Sequence, residues 1–508
     1  MIDSDLARPN VSPPSKSCHN CRRKRLRCDR SIPDCQKCTS KGEKCLGYGK
    51  LLRWTNAVAV RGNLADQISQ RPSHTVHSHT KDVVASHLVH PRGRQPPDTE
   101  LRPLQLSLID PLLVDLAPRH RVYIGHFTRT VCQDLVSFDH QDTQNPFRSM
   151  LSLIDRFDYI REITLATSAV HMVTLRRARG LTYHKELVDA LTAKGQAFRL
   201  LRRALDSLAA VDKPIAVVAV VFFINFDLIE SGRGCWKTHV EAAGNLLNSI
   251  HAMEIRKQIP PSVANLADIV VADCITYHVL GSAFASSGDT ALSAFESIDI
   301  TSVLQRAAAF SYGCYPPIML ETLSRASRLS QNDVCQAGAL MDELCGLDFR
   351  TWVYSIPGLS PEDDLEVRVS IADAHRAATC LYILLAVPDL ERDSLSDQSI
   401  TAESQTRKVL DQLASVPIEH ALAKGLIWPT FMVGAQTDDL AERQWCLGRM
   451  HKIWLSNAFV CPWGYVESAI TMMQRVWETK DAKSKHGGHS GMNWLQELKA
   501  ASDHALIV

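Results

Sequence analysis

Little in this chain points to catalysis. Its 508 residues contain no glycine-rich phosphate loop, no His-Glu-x-x-His helix and no Gly-x-Ser-x-Gly elbow. The common signatures of nucleotide-binding enzymes, zinc proteases and serine hydrolases are therefore missing. The apolar run 215–224 is too short for the roughly 20 residues a membrane-spanning helix needs. No secretory leader opens the sequence, which predicts an intracellular chain without a membrane partner. Net charge is also scarce, at +1, but that balance hides an asymmetry. Between Lys16 and Arg53 there are twelve Lys or Arg and three acids, so the remainder is net acidic. Paired cysteines are absent outside one stretch: nine of the fifteen are scattered, with no Cys-x-x-Cys among them. They read as small core residues of a reduced protein. Hydrophobic residues at 45% and charged residues at 22% are globular values. The length calls for a small module, a linker and a large body.

What is present is concentrated near the start. Cys18, Cys21 and Cys28 repeat their spacing in Cys35, Cys38 and Cys45. So short a segment has only Leu26, Ile32 and Leu46 to bury, and below about 40 residues a fold needs metals or disulfides. Cysteines at i and i+3 on a first helical turn point the same way, so one cation can bridge them. Six thiolates give two zinc ions four ligands each only if two sulfurs are shared, leaving a formal charge of about −2. Arg22, Arg23, Lys24, Arg25 and Arg27 fill five of the six places between Cys21 and Cys28. The matching places in the second copy hold only Lys41 and Lys44, against Glu43. The first half is expected to face a polyanion and the second to be structural.

Other chemistries fit less well. A disulfide knot would sit in a secreted chain, but no leader precedes these cysteines and their total is odd. Iron–sulfur sites use tighter cysteine runs. A zinc cluster serving only as a protein-binding scaffold stays open as a second reading.

The stretch resembles the fungal binuclear zinc cluster, a DNA-binding module holding two zinc ions with six cysteines. All six positions match without insertion, and Pro33 falls where the family often has a loop proline. The resemblance implies that Cys18 and Cys35 bridge both metals. Cys21 and Cys28 would complete one site, and Cys38 and Cys45 the other. It also implies that the first helix enters the major groove by its C-terminal end and reads a CGG triplet. Lys24 and Arg25 occupy the place of the base-contacting basic pair, and an arginine fork suits guanine O6 and N7.

Along the chain, residues 1–15 read as a disordered lead-in, 16–50 as the zinc cluster, 51–106 as a largely disordered linker and 107–508 as a helical regulatory body. Asn10-Val11-Ser12 is a glycosylation pattern that matters only in a secreted chain. In the linker, His74, His77, His79, His87 and His90 lack the spacing and carboxylate frame of a metal site. Leu51, Val58, Leu64 and Ile68 do not keep a heptad register, so no coiled coil is expected there. In the body, Leu165, Ala169, Met172 and Leu175 lie on one helical face. The apolar run 215–224 predicts a buried core helix, although its β-branched content also permits a strand. Ile269 to Ala285, containing Asp273 and His278, reads as another buried helix. Asp439 and Glu442 resemble a capping box, with Leu440, Leu447, Met450 and Trp454 along the face beyond. Acidic clusters at Glu362-Asp363-Asp364 and from Asp389 to Asp397 read as solvated loops or activating segments.

The segment from Ile215 through Cys235-Trp236-Lys237-Thr238-His239-Val240 resembles the core of the fungal-specific transcription factor domain. Ile427-Trp428-Pro429-Thr430-Phe431, Gly434-Ala435-Gln436, Pro462-Trp463-Gly464 and Val476-Trp477 resemble that family's C-terminal signature. The whole chain looks like the acriflavine sensitivity control group, with Ala435-Gln436 departing from the usual cysteine and glutamate. Bottom-up, Trp236 and Trp428 are large residues expected in helix packing. The combined expectation is a mainly α, nuclear, sequence-specific regulator of RNA polymerase II transcription. It would use two Zn²⁺ ions and bind double-stranded DNA, and is compatible with a homodimer and with transcriptional co-regulators.

Overall fold

Helices are the only regular elements among the described residues of this computed structural model. The structure describes residues 16–31, 34–43 and 45 near the N-terminus. Beyond these it describes 116–139, 145–207, 209, 212–248, 261–285, 295, 299–311, 313–360, 363–390, 400–455, 463–486, 492–501 and 506–508. The lead-in, the linker with its histidines, Pro33, Trp54 and most of the acidic run after Asp389 lie outside them. The chain divides into two units, 1–104 and 105–508.

In the first unit, two short helices, α1 (His19–Arg23) and α2 (Gln36–Thr39), pack on each other. Cys18, Cys21, Cys35 and Cys38 form their buried centre, with Leu26, Cys28 and Cys45 against it. An apolar core this small cannot hold a fold by itself.

The second unit is built around one helix. In chain order its long helices include α3 (Pro118–His126), α4 (Asp158–Ala178), α5 (His184–Leu205), α6 (Lys213–Glu230), α7 (Trp236–Asn248) and α8 (Pro261–Ala283). After several shorter helices come α9 (Leu365–Ala386), α10 (Ala402–Ser415), α11 (Ile427–Gln436), α12 (Leu440–Leu455) and α13 (Gly464–His486). Every residue from Pro214 to Ile229 in α6 is buried, because α4, α7, α8 and α13 pack around it. An apolar surface on all sides requires such surroundings. Pro214 starts the helix, where its missing N–H goes unneeded. The permitted strand does not form, and the β-branched residues take helical positions.

Several polar groups carried into this core are paired. Tyr277 Oη donates to Asn225 Oδ1 at 2.9 Å, and Lys194 Nζ reaches Asp227 Oδ1 at 2.5 Å. Arg368, fully buried on α9, donates to Ser137 Oγ at 2.9 Å and to the carbonyls of Ala309 and Ser311 at 3.1 and 3.3 Å. That guanidinium pins a turn that would otherwise expose its carbonyls to an apolar interior.

Both tryptophans of the signature segments are core residues, with Trp236 at 3% exposure and Trp428 at 0%. Gly281 on α8 leaves no room for a side chain beside the Trp236 ring. Trp477 Nε1 donates to Gly434 O at 2.7 Å, tying α13 to α11. Asp439 caps α12, its Oδ1 accepting from the Ala441 and Glu442 amides at 2.8 and 2.9 Å. The reciprocal half of the capping box is missing, because the Glu442 carboxylate accepts from Thr437 Oγ1 instead. Leu440 also departs from expectation. It is 72% exposed, while Arg443, Cys446, Met450 and Ile453 form the buried face. The first residue after the cap projects past the turn that packs.

Candidate metal centre and nucleic-acid interface

Two thiols serve as helix caps before any metal is considered. Cys18 Sγ accepts the Cys21 amide at 3.4 Å and so caps α1. Cys35 Sγ accepts the Cys38 amide at 3.4 Å and caps α2 in the same way. The equal cysteine spacings become two equal helix starts, facing each other. A further amide, that of Cys18, donates to Cys28 Sγ at 3.4 Å.

The sulfurs fall into two overlapping sets. Those of Cys18, Cys21, Cys28 and Cys35 lie within 4.8 Å of one another, as do those of Cys18, Cys35, Cys38 and Cys45. Cys18 and Cys35 belong to both. Individual separations are 3.5 Å for Cys18 to Cys35, and 3.8 Å for Cys18 to Cys38 and Cys21 to Cys35. A disulfide would require about 2.05 Å. Four sulfurs around zinc at about 2.3 Å would be about 3.8 Å apart by tetrahedral geometry. The donor sets fit two zinc ions.

Electrostatics support the same fit. Burial pushes the Cys18 thiol up to about 12 and raises Cys35 further, and Cys21 is raised for the same reason. Cys28 is also opposed by burial, but hydrogen bonds from the Cys18 and Arg30 backbones outweigh it and bring the thiol down to about 7. Buried thiols without a cation keep their protons, and zinc binding must release them.

Arg22, Arg23, Lys24, Arg25 and Arg27 are all exposed. The end of α1 aims them outward. Leu26 donates its amide to Cys21 O at 2.8 Å, and Arg25 adopts a left-handed backbone with φ of 53°. Such a residue closes a helix and turns the chain sharply. Lys24 is drawn aside, its ammonium donating to the Glu43 carboxylate.

Asp29 is a structural residue that sequence reasoning missed. Its carboxylate accepts the amides of Gln36 and Lys37 at 3.0 and 3.2 Å, so the first repeat caps the helix of the second. The Ser31 hydroxyl and these amides hold its carboxyl well below the usual range. An Asp just after the third cysteine was the available signal, but its partners lie seven and eight residues on.

Comparison with known proteins gives concordant results. Residues 16–55 match the fungal Zn(2)-Cys(6) binuclear cluster domain, and residues 122–508 match the fungal specific transcription factor domain. The chain is 37% identical to the acriflavine sensitivity control protein of Neurospora crassa, over 97% of both chains. It is 21% identical to a phomenoic acid biosynthesis cluster-specific transcriptional regulator of Leptosphaeria maculans, over 87% of this chain and 81% of that one. No solved structure matches. The chain thus belongs to the fungal specific transcription factor family: a DNA-binding transcription regulator with a two-zinc cluster, and not an enzyme.

Proposed function

We propose that this protein is a nuclear, sequence-specific regulator of RNA polymerase II transcription that reads CGG-type half-sites in the major groove. Cys18, Cys21, Cys28, Cys35, Cys38 and Cys45 hold two zinc ions, with Cys18 and Cys35 bridging. The module spans 16–50, a linker 51–106, and a regulatory body 107–508. The observation that carries this reading is the exposed basic run enclosed by Cys21 and Cys28 of the first thiol set. Zinc would fix α1, and α1 with the turn after it presents the cations.

Within the run, Arg25 and Lys24 read base edges, while Arg22 and Arg27 contact phosphates and Arg23 adds to the positive field. Base contacts set specificity; phosphate contacts set affinity and its salt dependence. Titration of the intact protein on CGG-containing and scrambled duplexes at several salt concentrations tests the division. Arg25→Ala should cost about 1–3 kcal/mol on the CGG site and far less on scrambled DNA. Arg22→Ala should weaken both alike and lower the salt slope by about one. Equal losses on both duplexes for Arg25→Ala would remove its base-reading role. Wild-type protein that binds neither duplex would leave the scaffold reading.

A further inference from the structure

The regulatory body carries a partly open cleft of about 120 Å³ among α8, the turn after Ile300–Ala307, α12 and the start of α13. It is unrelated to the zinc cluster, and no step of DNA reading uses it. Its apolar wall includes the aromatic side chains of Tyr277, Tyr315, Trp454, Trp463 and Tyr465. Arg368 stiffens one side by holding the Ala309 and Ser311 carbonyls. The wall is therefore anchored, not a loose surface dent.

Two polar groups in this wall lack partners. Asp273, half-buried on α8, lines the cleft and has no hydrogen bond or ion pair with any described residue. The Trp454 indole N–H is buried without an acceptor. An unpaired buried polar group is costly, and native folds rarely keep one without a use.

We infer that this cavity is a binding site for a small aromatic molecule carrying a protonated nitrogen, with Asp273 as its ion-pair partner. The aromatic faces pack on a ring, and their quadrupoles favour a cation beside them. The Trp454 N–H donates to a heteroatom of the same ligand. A cavity of ~150 Å³ holds benzene, so the cleft takes about one ring. Lys424 also reaches the wall, but its ammonium already donates to Asp134 O at 2.8 Å. Burial alone pushes the Asp273 carboxyl up to about 7, with no neighbouring charge in play, so Lys424 does not neutralise it. A cationic ligand would draw that carboxyl into its charged form and gain a desolvated ion pair.

Calorimetry on the full chain, without DNA, tests this with three one-ring probes of similar shape: 4-aminopyridine as cation, phenol as neutral molecule and benzoate as anion. The expected order is 4-aminopyridine tightest, with phenol weaker by about tenfold or more, since a charged hydrogen bond is the difference. Asp273→Asn should remove that advantage while leaving phenol affinity and the zinc content unchanged. The probe series on the unsubstituted chain decides the question even if the variant folds badly. The inference is overturned if benzoate binds as well as the cation, if Asp273→Asn keeps full cation affinity, or if no probe binds at millimolar concentration. None of these outcomes bears on CGG recognition.

Discussion

The Lys24 ammonium lies on the Glu43 carboxylate, joining the basic first repeat of the cluster to the second. Both side chains keep over a third of their surface exposed, at 39% and 37%, and exposed pairs of this kind are weak. The contact holds Lys24 in reserve rather than locking it. Glu43→Gln should free it, raising affinity for duplex DNA about two- to fivefold at low salt and by less as salt screens the charges. Fluorescence anisotropy across a salt series measures this; an affinity that stays put or falls would show that Lys24 does not approach DNA.

Zinc loss should depend on which cysteine is changed. Cys18→Ser or Cys35→Ser removes a sulfur shared by both four-thiol sets, so native mass spectrometry should find no stably held zinc. Cys21→Ser or Cys45→Ser touches one set only and should leave protein with a single ion. Because thiols such as Cys18, raised to about 12, must release protons to bind metal, zinc affinity should fall as pH falls. Chelator competition between pH 6 and 8 reads that slope.

Asp273 should shape the acid side of the stability profile. Its carboxyl is raised to about 7 when folded, from an ordinary value near 4 when unfolded. The stabilisation from holding its proton is full below about pH 4 and is lost as pH rises to about 7. Asp273→Asn has no proton to lose and should gain on the wild type between pH 4 and 8, by as much as about 4 kcal/mol. Urea titrations of both proteins at the two pH values make the comparison. A constant difference between them would mean the carboxyl is solvated in the native state.

Gly281→Ala should destabilise the body by about 1–3 kcal/mol. A Cβ there would meet the Trp236 ring at 2.0 Å, far inside contact distance, and Trp236 is buried on α7 with little room to retreat. Thermal unfolding of the variant measures the loss. Unchanged stability would show that the α7–α8 contact is softer than its geometry.

How much of this was legible depended on the range of the interaction. The cysteine spacing is local, and it gave both the metal-binding plan and the positions that became helix caps. The run 215–224 announced a buried helix because its surroundings had to be apolar on every side. Leu440 misled because helical periodicity describes a face but not where a neighbouring helix ends. Asp29, Arg368 and the pairing of Lys24 with Glu43 were hidden for the same reason. Their partners are set by chain reversals, and Arg368 reaches Ser137 from 231 residues away. Asp273 looked like one polar residue on a core helix, and only the packed neighbours revealed a space beside it.

The caps on α1 and α2 are made by the two sulfurs that both thiol sets share. Helix initiation and metal capture therefore use the same atoms. A change at Cys18 or Cys35 would remove a cap and a shared ligand together, whereas a change at Cys21, Cys28, Cys38 or Cys45 would spare both caps.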